Sequence, residues 1–316
     1  MGIFANPLTD LLEYEDFSRD FLKGTDPVGM TGCIDSEKVH FMSTFLGEKK
    51  VQLVVTYNEQ RAREIEEDYK LFCSQVYVIP PRDLIFFSAD LQGNAIIAER
   101  MKAFAALYQN EAKVIITTID ALMSAAVPFE QLMSHVIKLK EGDELDLEKL
   151  KHDLTVMGYE RVGRVEEPGQ FTVHGGIADV YPLTMEVPVR IELWGDEIDT
   201  IRCFEPQSQR SMDQIESVSV FPAAEVIADD TARRRAVGMI QNELESQLAV
   251  FKKVKEPDKA KRLREETNRI LEALGEEVVL EAPDSYISYF YPRTVRLSEY
   301  FDEKNTLVFL DEPMRL

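Results

Sequence analysis

The stretch KKVQLVVTYNEQRAREIEEDYKLFCSQVYVIP, residues 49–80, decides the fold. It begins with a compact apolar run, continues with a segment whose apolar residues recur at helical spacing, and ends with a second apolar run. Nearly continuous apolar strands that alternate with helices are typical of a parallel sheet covered on both faces. The same alternation continues through residues 94–127. We therefore predict an α/β domain over residues 1–127.

A segment that begins like a phosphate-binding loop precedes this alternation. Aligned with the pattern G-x-x-x-x-G-K-[ST], the run GMTGCIDS begins at Gly29, has an extra glycine at Gly32, and places Ile34 at the second glycine, Asp35 at the lysine and Ser36 at the hydroxyl position. The glycine lets the backbone approach phosphate, and the lysine supplies positive charge. Ile34 and Asp35 therefore argue against nucleotide binding. We expect Asp35 or Ser36 to cap the following helix instead.

A second part of a nucleotide site is indicated near the end of the sequence. The strand-like run TLVFL, residues 306–310, is followed by Asp311 and Glu312. In ATPases, acids at this place hold magnesium and orient water. Together with residues 29–36 they predict a degenerate nucleotide site in which no lysine lies opposite the acids. Because the sequence stops soon after this strand, we expect a piece of a longer protein.

Residues 128–215 have a different pattern. A charged helical segment is followed by short runs that alternate between apolar and polar residues, with turn signals at 175–176 and 195–196. This pattern predicts a small antiparallel sheet with a flanking helix, an α+β domain. Its arginines form either a solvated face or a protein interface in which guanidinium groups meet partner carboxylates. Trp194, the only tryptophan, is interpreted as a core or rim anchor.

Residues 216–316 contain a pattern of two amphipathic helices and then the strand-like run that returns to the first sheet. The break between the helices is predicted near Pro257, a residue that is favoured at the first helical position. Basic runs occur at 233–235 and 252–255. Acidic residues interleave with them, which favours a solvated face over a nucleic-acid patch.

Composition narrows the possible functions. The 316 residues contain 36 Lys and Arg against 57 Asp and Glu, a net charge of −21 that disfavours tight DNA binding but leaves room for a local basic patch. Cys33, Cys73 and Cys203 are widely spaced, so they predict neither a metal site nor a disulfide framework, and no cofactor is predicted. No apolar run approaches the roughly 20 residues of a membrane span. We predict a cytoplasmic protein without a membrane segment.

The most specific stretch is GYERVGRVEEPGQFTVHGGIADVYPLTMEVPVRIELWGDEIDTIRCFEPQSQRS, residues 158–211. It resembles a segment shared by the bacterial transcription-repair coupling factor (Mfd) family and the excision-repair protein UvrB. GMTG and TLVFLDEP fall where UvrB keeps its Walker loop and acidic strand. The resemblance implies a degenerate P-loop-ATPase-like parallel sheet domain, a small α+β domain and a helical third part. UvrB's tyrosine-rich DNA hairpin is replaced here by a short segment, residues 76–94, without a tyrosine cluster.

The resemblance also implies a role. The chain would be a non-catalytic recruitment module that docks UvrA and restrains the translocase of the full-length factor, whose motor and RNA-polymerase-binding domains lie outside this chain. Carried over by position, the UvrA surface would include Arg161, Arg164, Phe171 and His174. The families usually have arginine at the last position, and a neutral imidazole lacks its bidentate fork.

Two alternatives belong to other classes. One is a UvrB-like ATP-dependent DNA-repair enzyme, against which Ile34 and Asp35 argue. The other is a DNA-binding protein, against which the net charge argues, so weak or no DNA binding is expected.

Overall fold

The computed structural model describes residue 8 and residues 14–24, 27–82, 91–227, 229–275 and 286–316, with nothing said of the side chains of residues 91–94. Residues 83–90 of the segment expected to replace the UvrB hairpin lie outside the described residues. The chain divides into two compact units. The first comprises Met1–Arg82, Lys102–Ser124 and Leu297–Leu316, and the second comprises Asp83–Met101 and Ala125–Arg296.

Helices and strands alternate in the first part of the chain. In order, they are α1 (Tyr14–Lys23), α2 (Asp35–Ser43), β1 (Val51–Thr56), α3 (Glu59–Tyr69), β2 (Val76–Ile79), α4 (Leu91–Tyr108), β3 (Val114–Thr118), α5 (Ile119–Met123) and β4 (Ala125–Ala126).

Short strands dominate the middle of the chain. These elements are α6 (Phe129–Met133), β5 (Ile137–Lys140), α7 (Leu147–Val156), β6 (Glu160–Arg161), β7 (Gln170–His174), β8 (Ile177–Val180), β9 (Val189–Trp194), β10 (Glu197–Phe204), β11 (Ser211–Gln214) and β12 (Ser217–Val220).

Two long helices come next and short elements follow them. They are α8 (Asp230–Val254), α9 (Pro257–Gly275), α10 (Ile287–Phe290), β13 (Val295–Arg296), a 3-10 turn (Leu297–Tyr300), β14 (Thr306–Leu310) and a second 3-10 turn (Pro313–Arg315). None of the described helices is long and apolar enough to cross a membrane.

The first unit is built on a parallel sheet in the order β14-β1-β3-β2, which confirms the predicted parallel sheet. Its strands are apolar in sequence because most of their side chains are buried, and Val54 and Ile116 are fully buried. The side chain of Asn58 accepts a hydrogen bond from the Arg61 backbone N–H and so starts α3. The last strand pairs with β1 in register, which brings the two carboxyl ends to the same edge of the sheet.

The second unit contains a six-stranded sheet in the order β11-β10-β9-β8-β7-β6. Its pairs are antiparallel except for β6 with β7, and the turns fall at Gly175-Gly176 and Gly195-Asp196 as predicted. The inward positions of the strands form an apolar core with α7, in which Phe171 and Ile191 are fully buried. The period-two pattern of the sequence therefore predicted this sheet correctly. The division into parts 1–127, 128–215 and 216–316 stays a prediction.

The second unit also carries a helical hairpin. Its first helix, α8, is capped by Asp229 and ends at Lys255, whose φ of +56° is left-handed. The second helix, α9, begins at Pro257 as predicted, because proline has no N–H to leave unpaired in the first turn. The first helix is buried at Ala236 and Ile240. The hairpin is therefore packed near its beginning and exposed around its turn.

Candidate functional site

Asp311 is a buried carboxylate at the carboxyl edge of the parallel sheet. Its side chain follows the last strand, and the residue is 5 % exposed. Thr56 Oγ1 donates to Asp311 Oδ2 at 3.0 Å, and Arg61 Nε donates to the same oxygen at 3.1 Å. Lys38 Nζ donates to the other oxygen at 3.2 Å. Groups of this chain therefore occupy both oxygens of the acid that the sequence predicted as part of a degenerate nucleotide site.

Lys38 overturns one expectation from the sequence. We predicted that no lysine lies opposite the acids, and this is wrong, because Lys38 bonds both Asp311 and Glu312. Burial alone would lower the pKa of Lys38, but the hydrogen bonds to Glu312 and Asp311 outweigh burial and raise the pKa above its usual value. The lysine lies one helical position after Glu37 and three after Asp35 on α2. The positive charge of Lys38 is therefore paired with Asp311 and Glu312.

Arg61 is the functional candidate that sequence reasoning missed. Its guanidinium reaches Asp311, lies 3.3 Å from Asp35 Oδ1, and contacts Glu64 at 3.1 Å, while the side chain is only 5 % exposed. Burial would lower its pKa, but the bonds to Glu64 and Asp311 raise it. The arginine precedes Ile65 by four positions on the buried face of α3, which is the sequence signal that could have revealed it. Asp35, at the motif lysine position, thus faces a cation of the protein.

The start of α2 differs from the predicted cap. We expected Asp35 or Ser36 to cap this helix, but its N-cap residue is Ile34, which is 70 % exposed, and both expected caps lie within the exposed first turn. The Ile34 N–H donates to Glu37 Oε2 at 3.1 Å. Because a carboxylate already meets this helix end, the position that would attract phosphate is negatively charged.

The two glycines of the loop are both exposed. Gly32 has φ of +89°, a left-handed conformation that favours glycine, and it therefore shapes the turn before α2. Gly29 has open space where a side chain would begin. The structure brings Asp35 near this sheet edge through Arg61, and Lys38 joins the start of α2 to Asp311 and Glu312.

The two predicted partner-binding arginines lie on the surface of the second unit. Arg161, on the edge strand β6, is exposed, and no acidic partner for it occurs in the described parts of the chain. Arg164 is half exposed and lies 3.2 Å from Glu166. Its Nη2 donates to the backbone carbonyl oxygens of Pro206, at 3.4 Å, and Gln207. Among the described residues, the Arg161 guanidinium therefore has no ion pair, whereas the Arg164 guanidinium is held against a loop.

Phe171 and His174 lie on opposite faces of β7. Phe171 is completely buried, so its side chain positions the strand and does not reach the surface. His174 is exposed, with Nε2 2.8 Å from Thr172 Oγ1. This alternation follows the two-residue period of a strand. Of the four predicted partner residues, three have side chains at the surface.

Trp194 lies on the same side of the sheet as His174. It ends β9 and is 85 % exposed, although an aromatic of this size is usually largely buried. Trp194 shares a face of the strand with Glu192, which is opposite Ile177 on β8, and Ile177 is in turn opposite His174 on β7. Ile177 is itself 40 % exposed. The sheet therefore presents an aromatic, an aliphatic and an imidazole side chain at one end.

Residues 137–225 match the model of a family described as "UvrB interaction domain". The chain is 30 % identical over 317 residues to the transcription-repair-coupling factor of Bacillus subtilis, covering 98 % of this chain and 27 % of that protein. It is 30 % identical to the same factor of Staphylococcus haemolyticus over 94 % of this chain and 25 % of that protein. The chain belongs to the transcription-repair-coupling factor family. It spans about a quarter of the length of these relatives.

The family match separates the two candidate sites. The UvrB interaction domain contains Arg161, Arg164, Phe171, His174 and Trp194. The ion-paired edge of the parallel sheet lies outside residues 137–225.

Proposed function

We propose that this part of the transcription-repair-coupling factor is a non-catalytic recruitment module that docks UvrA through its UvrB interaction domain. The observation that carries the proposal is the match of residues 137–225, whose sheet presents Arg161, His174 and Trp194 to solvent. The proposed role in the full-length factor is to bring the excision-repair machinery to stalled RNA polymerase and to restrain the translocase.

Arg161 and Trp194 are the side chains best suited to anchor a partner. Arginine and tryptophan are enriched among residues that dominate binding energy at protein interfaces. The guanidinium of Arg161 has no competing acid in the described residues, so binding a partner carboxylate breaks no existing ion pair. Arg190, by contrast, is committed to Asp179 through two bonds of 2.8 and 2.7 Å. Arg190 therefore has a structural role in the sheet.

The non-catalytic part of the proposal rests on the ion pairs of the first unit. A nucleotide phosphate needs free donors and cations, and Mg²⁺ needs free carboxylate oxygens. Lys38 and Arg61 bond Asp311, and Glu37 bonds the backbone at the start of α2. Binding a nucleotide here would require breaking buried ion pairs and placing phosphate beside Asp35. This sheet edge is thus proposed to be a structural remnant of a nucleotide site, in a P-loop-like domain.

The test is surface plasmon resonance of the chain over immobilised UvrA. Replacing one hot-spot side chain typically costs about 2 kcal/mol or more, so Arg161→Ala is expected to weaken binding roughly 30-fold. Lys149→Ala, another exposed cation of the same domain, is the matched control and should bind like the parent. If Arg161→Ala and Trp194→Ala both bind UvrA at parental affinity with unchanged melting curves, neither side chain anchors UvrA and the proposed docking role of this domain is wrong.

A further inference from the structure

The turn of the helical hairpin is a basic segment in an acidic protein. The run KKVKEPDKAKRLR, residues 252–264, contains seven Lys and Arg residues against two acids, whereas the whole chain has a net charge of −21. We call this segment the basic tip. It joins the last turn of α8 to the first two turns of α9, so the chain reversal brings cations from both helices together.

The cations of the basic tip are exposed and mostly unpaired. All seven lie at the surface. Within the described parts of the chain, only Lys259 forms a close ion pair, at 2.8 Å from Glu256, and Lys261 lies 3.9 Å from Glu265. Lys252, Lys253 and Arg262 have no acidic partner there. The acids that interleave in the sequence therefore leave most cations of the tip without an ion pair in the described residues.

The tip is also separated from the packed base of the hairpin. Among the described residues, the hydrogen bond from Tyr289 Oη to Glu243 Oε2, at 2.7 Å, joins α10 to α8. The helix continues from there to Val254, and at 1.5 Å per residue this places the turn about 16 Å further along the axis. That length is about twice the Debye length of about 8 Å at physiological ionic strength. Charges near the base of the hairpin are therefore largely screened at the tip.

The chemistry of the tip fits phosphate better than a protein partner. Lysine is depleted at protein interfaces, where aromatic residues are enriched, and the basic tip has five lysines and no aromatic residue. Sequence-independent contacts with nucleic acid are made by Lys and Arg on phosphate oxygens. We propose that the basic tip binds the phosphate backbone of duplex DNA. This contact is electrostatic and non-specific, with an expected dissociation constant of about 10⁻⁶ to 10⁻⁴ M at physiological salt.

The experiment measures fluorescence anisotropy of a labelled duplex with the intact chain between about 50 and 200 mM salt. The test variant combines Lys252→Gln, Lys253→Gln and Lys255→Gln. The matched control combines Lys140→Gln, Lys149→Gln and Lys304→Gln, three exposed lysines elsewhere, so both variants have the same net charge. The tip variant is expected to bind at least about 10-fold more weakly at the lowest salt, with a salt slope smaller by about three. The control should stay within about 2-fold of the parent.

Fraying of a helix end could also weaken binding by the lysine variant. A second variant therefore tests whether binding to duplex DNA becomes tighter. Glu256→Gln with Asp258→Asn removes the two acids of the tip and is expected to tighten duplex binding. Equal weakening in the two lysine variants would show an effect of net charge alone and overturn the proposal. Absence of binding by the parent at the lowest salt would overturn it as well. Competition by poly-glutamate as strong as that by duplex DNA of equal charge would also overturn it, because the site would then suit an acidic protein.

Discussion

Lys38 and Asp311, which are 273 positions apart in the chain, form an ion pair with Nζ 3.2 Å from Oδ1. The pair joins the first turns of α2 to the end of β14, the two places where the sequence predicted the halves of a degenerate nucleotide site. Arg61 bonds the other oxygen of Asp311 and also approaches Asp35. The charges that would receive a nucleotide and its metal ion are therefore paired with one another.

We predict that the chain does not bind Mg-ATP. Isothermal titration with Mg-ATP should show no heat of binding, because the candidate cations and carboxylates are already paired. The double variant Ile34→Gly with Asp35→Lys is also expected to show none, since Lys38 and Arg61 still bond Asp311. Micromolar affinity in the unmodified chain would contradict the prediction.

We predict that Arg61 contributes more to stability than Lys38. Arg61→Met should lower the free energy of unfolding by about 2–3 kcal/mol, because it leaves the buried Asp311 with fewer charged partners. Lys38→Met should cost only about 1 kcal/mol, because Asp311 keeps Arg61 and Thr56. The control is Lys23→Met, which removes an exposed pair with Asp20 and should leave the free energy of unfolding almost unchanged. Urea unfolding measures the free energy of unfolding of all three variants. Equal effects of the Arg61 and Lys38 changes would refute the ranking.

We predict that the Lys38 ion pair is insensitive to pH across the neutral range. A cation whose pKa is raised by folding contributes stability that is fully present below its usual pKa, 10.5 for this lysine, and is lost as pH rises through the raised value. The difference in unfolding free energy between the parent and Lys38→Met should thus stay constant from about pH 6 to pH 9 and shrink only above about pH 10.5. Urea titrations at several pH values measure it, and a difference that already shrinks below pH 9 would exclude the mechanism.

The sequence predicted the local elements well because their signals are local. Apolar runs predicted β1, β2 and β3, and Pro257 predicted the start of α9. The partners of Asp311 could not be predicted in this way, because Arg61 is 250 positions away and the pairing depends on the order of strands in the sheet. The family resemblance predicted which domain would dock a partner. It did not distinguish the exposed His174 from the buried Phe171, although the two-residue period of β7 contained that information.

Substitutions of two aromatic residues of the UvrB interaction domain distinguish a loss of UvrA binding from a loss of folding. Trp194 is 85 % exposed at the end of β9, whereas Phe171 is fully buried in the core of the same sheet. Trp194→Ala is expected to weaken UvrA binding by about 2 kcal/mol, roughly 30-fold, because an exposed tryptophan beside Ile177 and His174 can be desolvated by a partner. It should change the free energy of unfolding by less than about 0.5 kcal/mol, since it leaves no cavity.

Phe171→Ala is expected to show the opposite behaviour. Removing a buried phenylalanine should cost about 3–5 kcal/mol of stability, because it leaves a cavity among residues such as Val173, Ile191 and Leu154. Its loss of UvrA binding should therefore follow the unfolded fraction and recover at lower temperature, where that fraction falls. The measurements are surface plasmon resonance against UvrA at two temperatures and urea unfolding of each variant. If Phe171→Ala remains folded yet loses binding, or if Trp194→Ala unfolds the domain, the assignment of one residue to the core and the other to the docking surface is wrong.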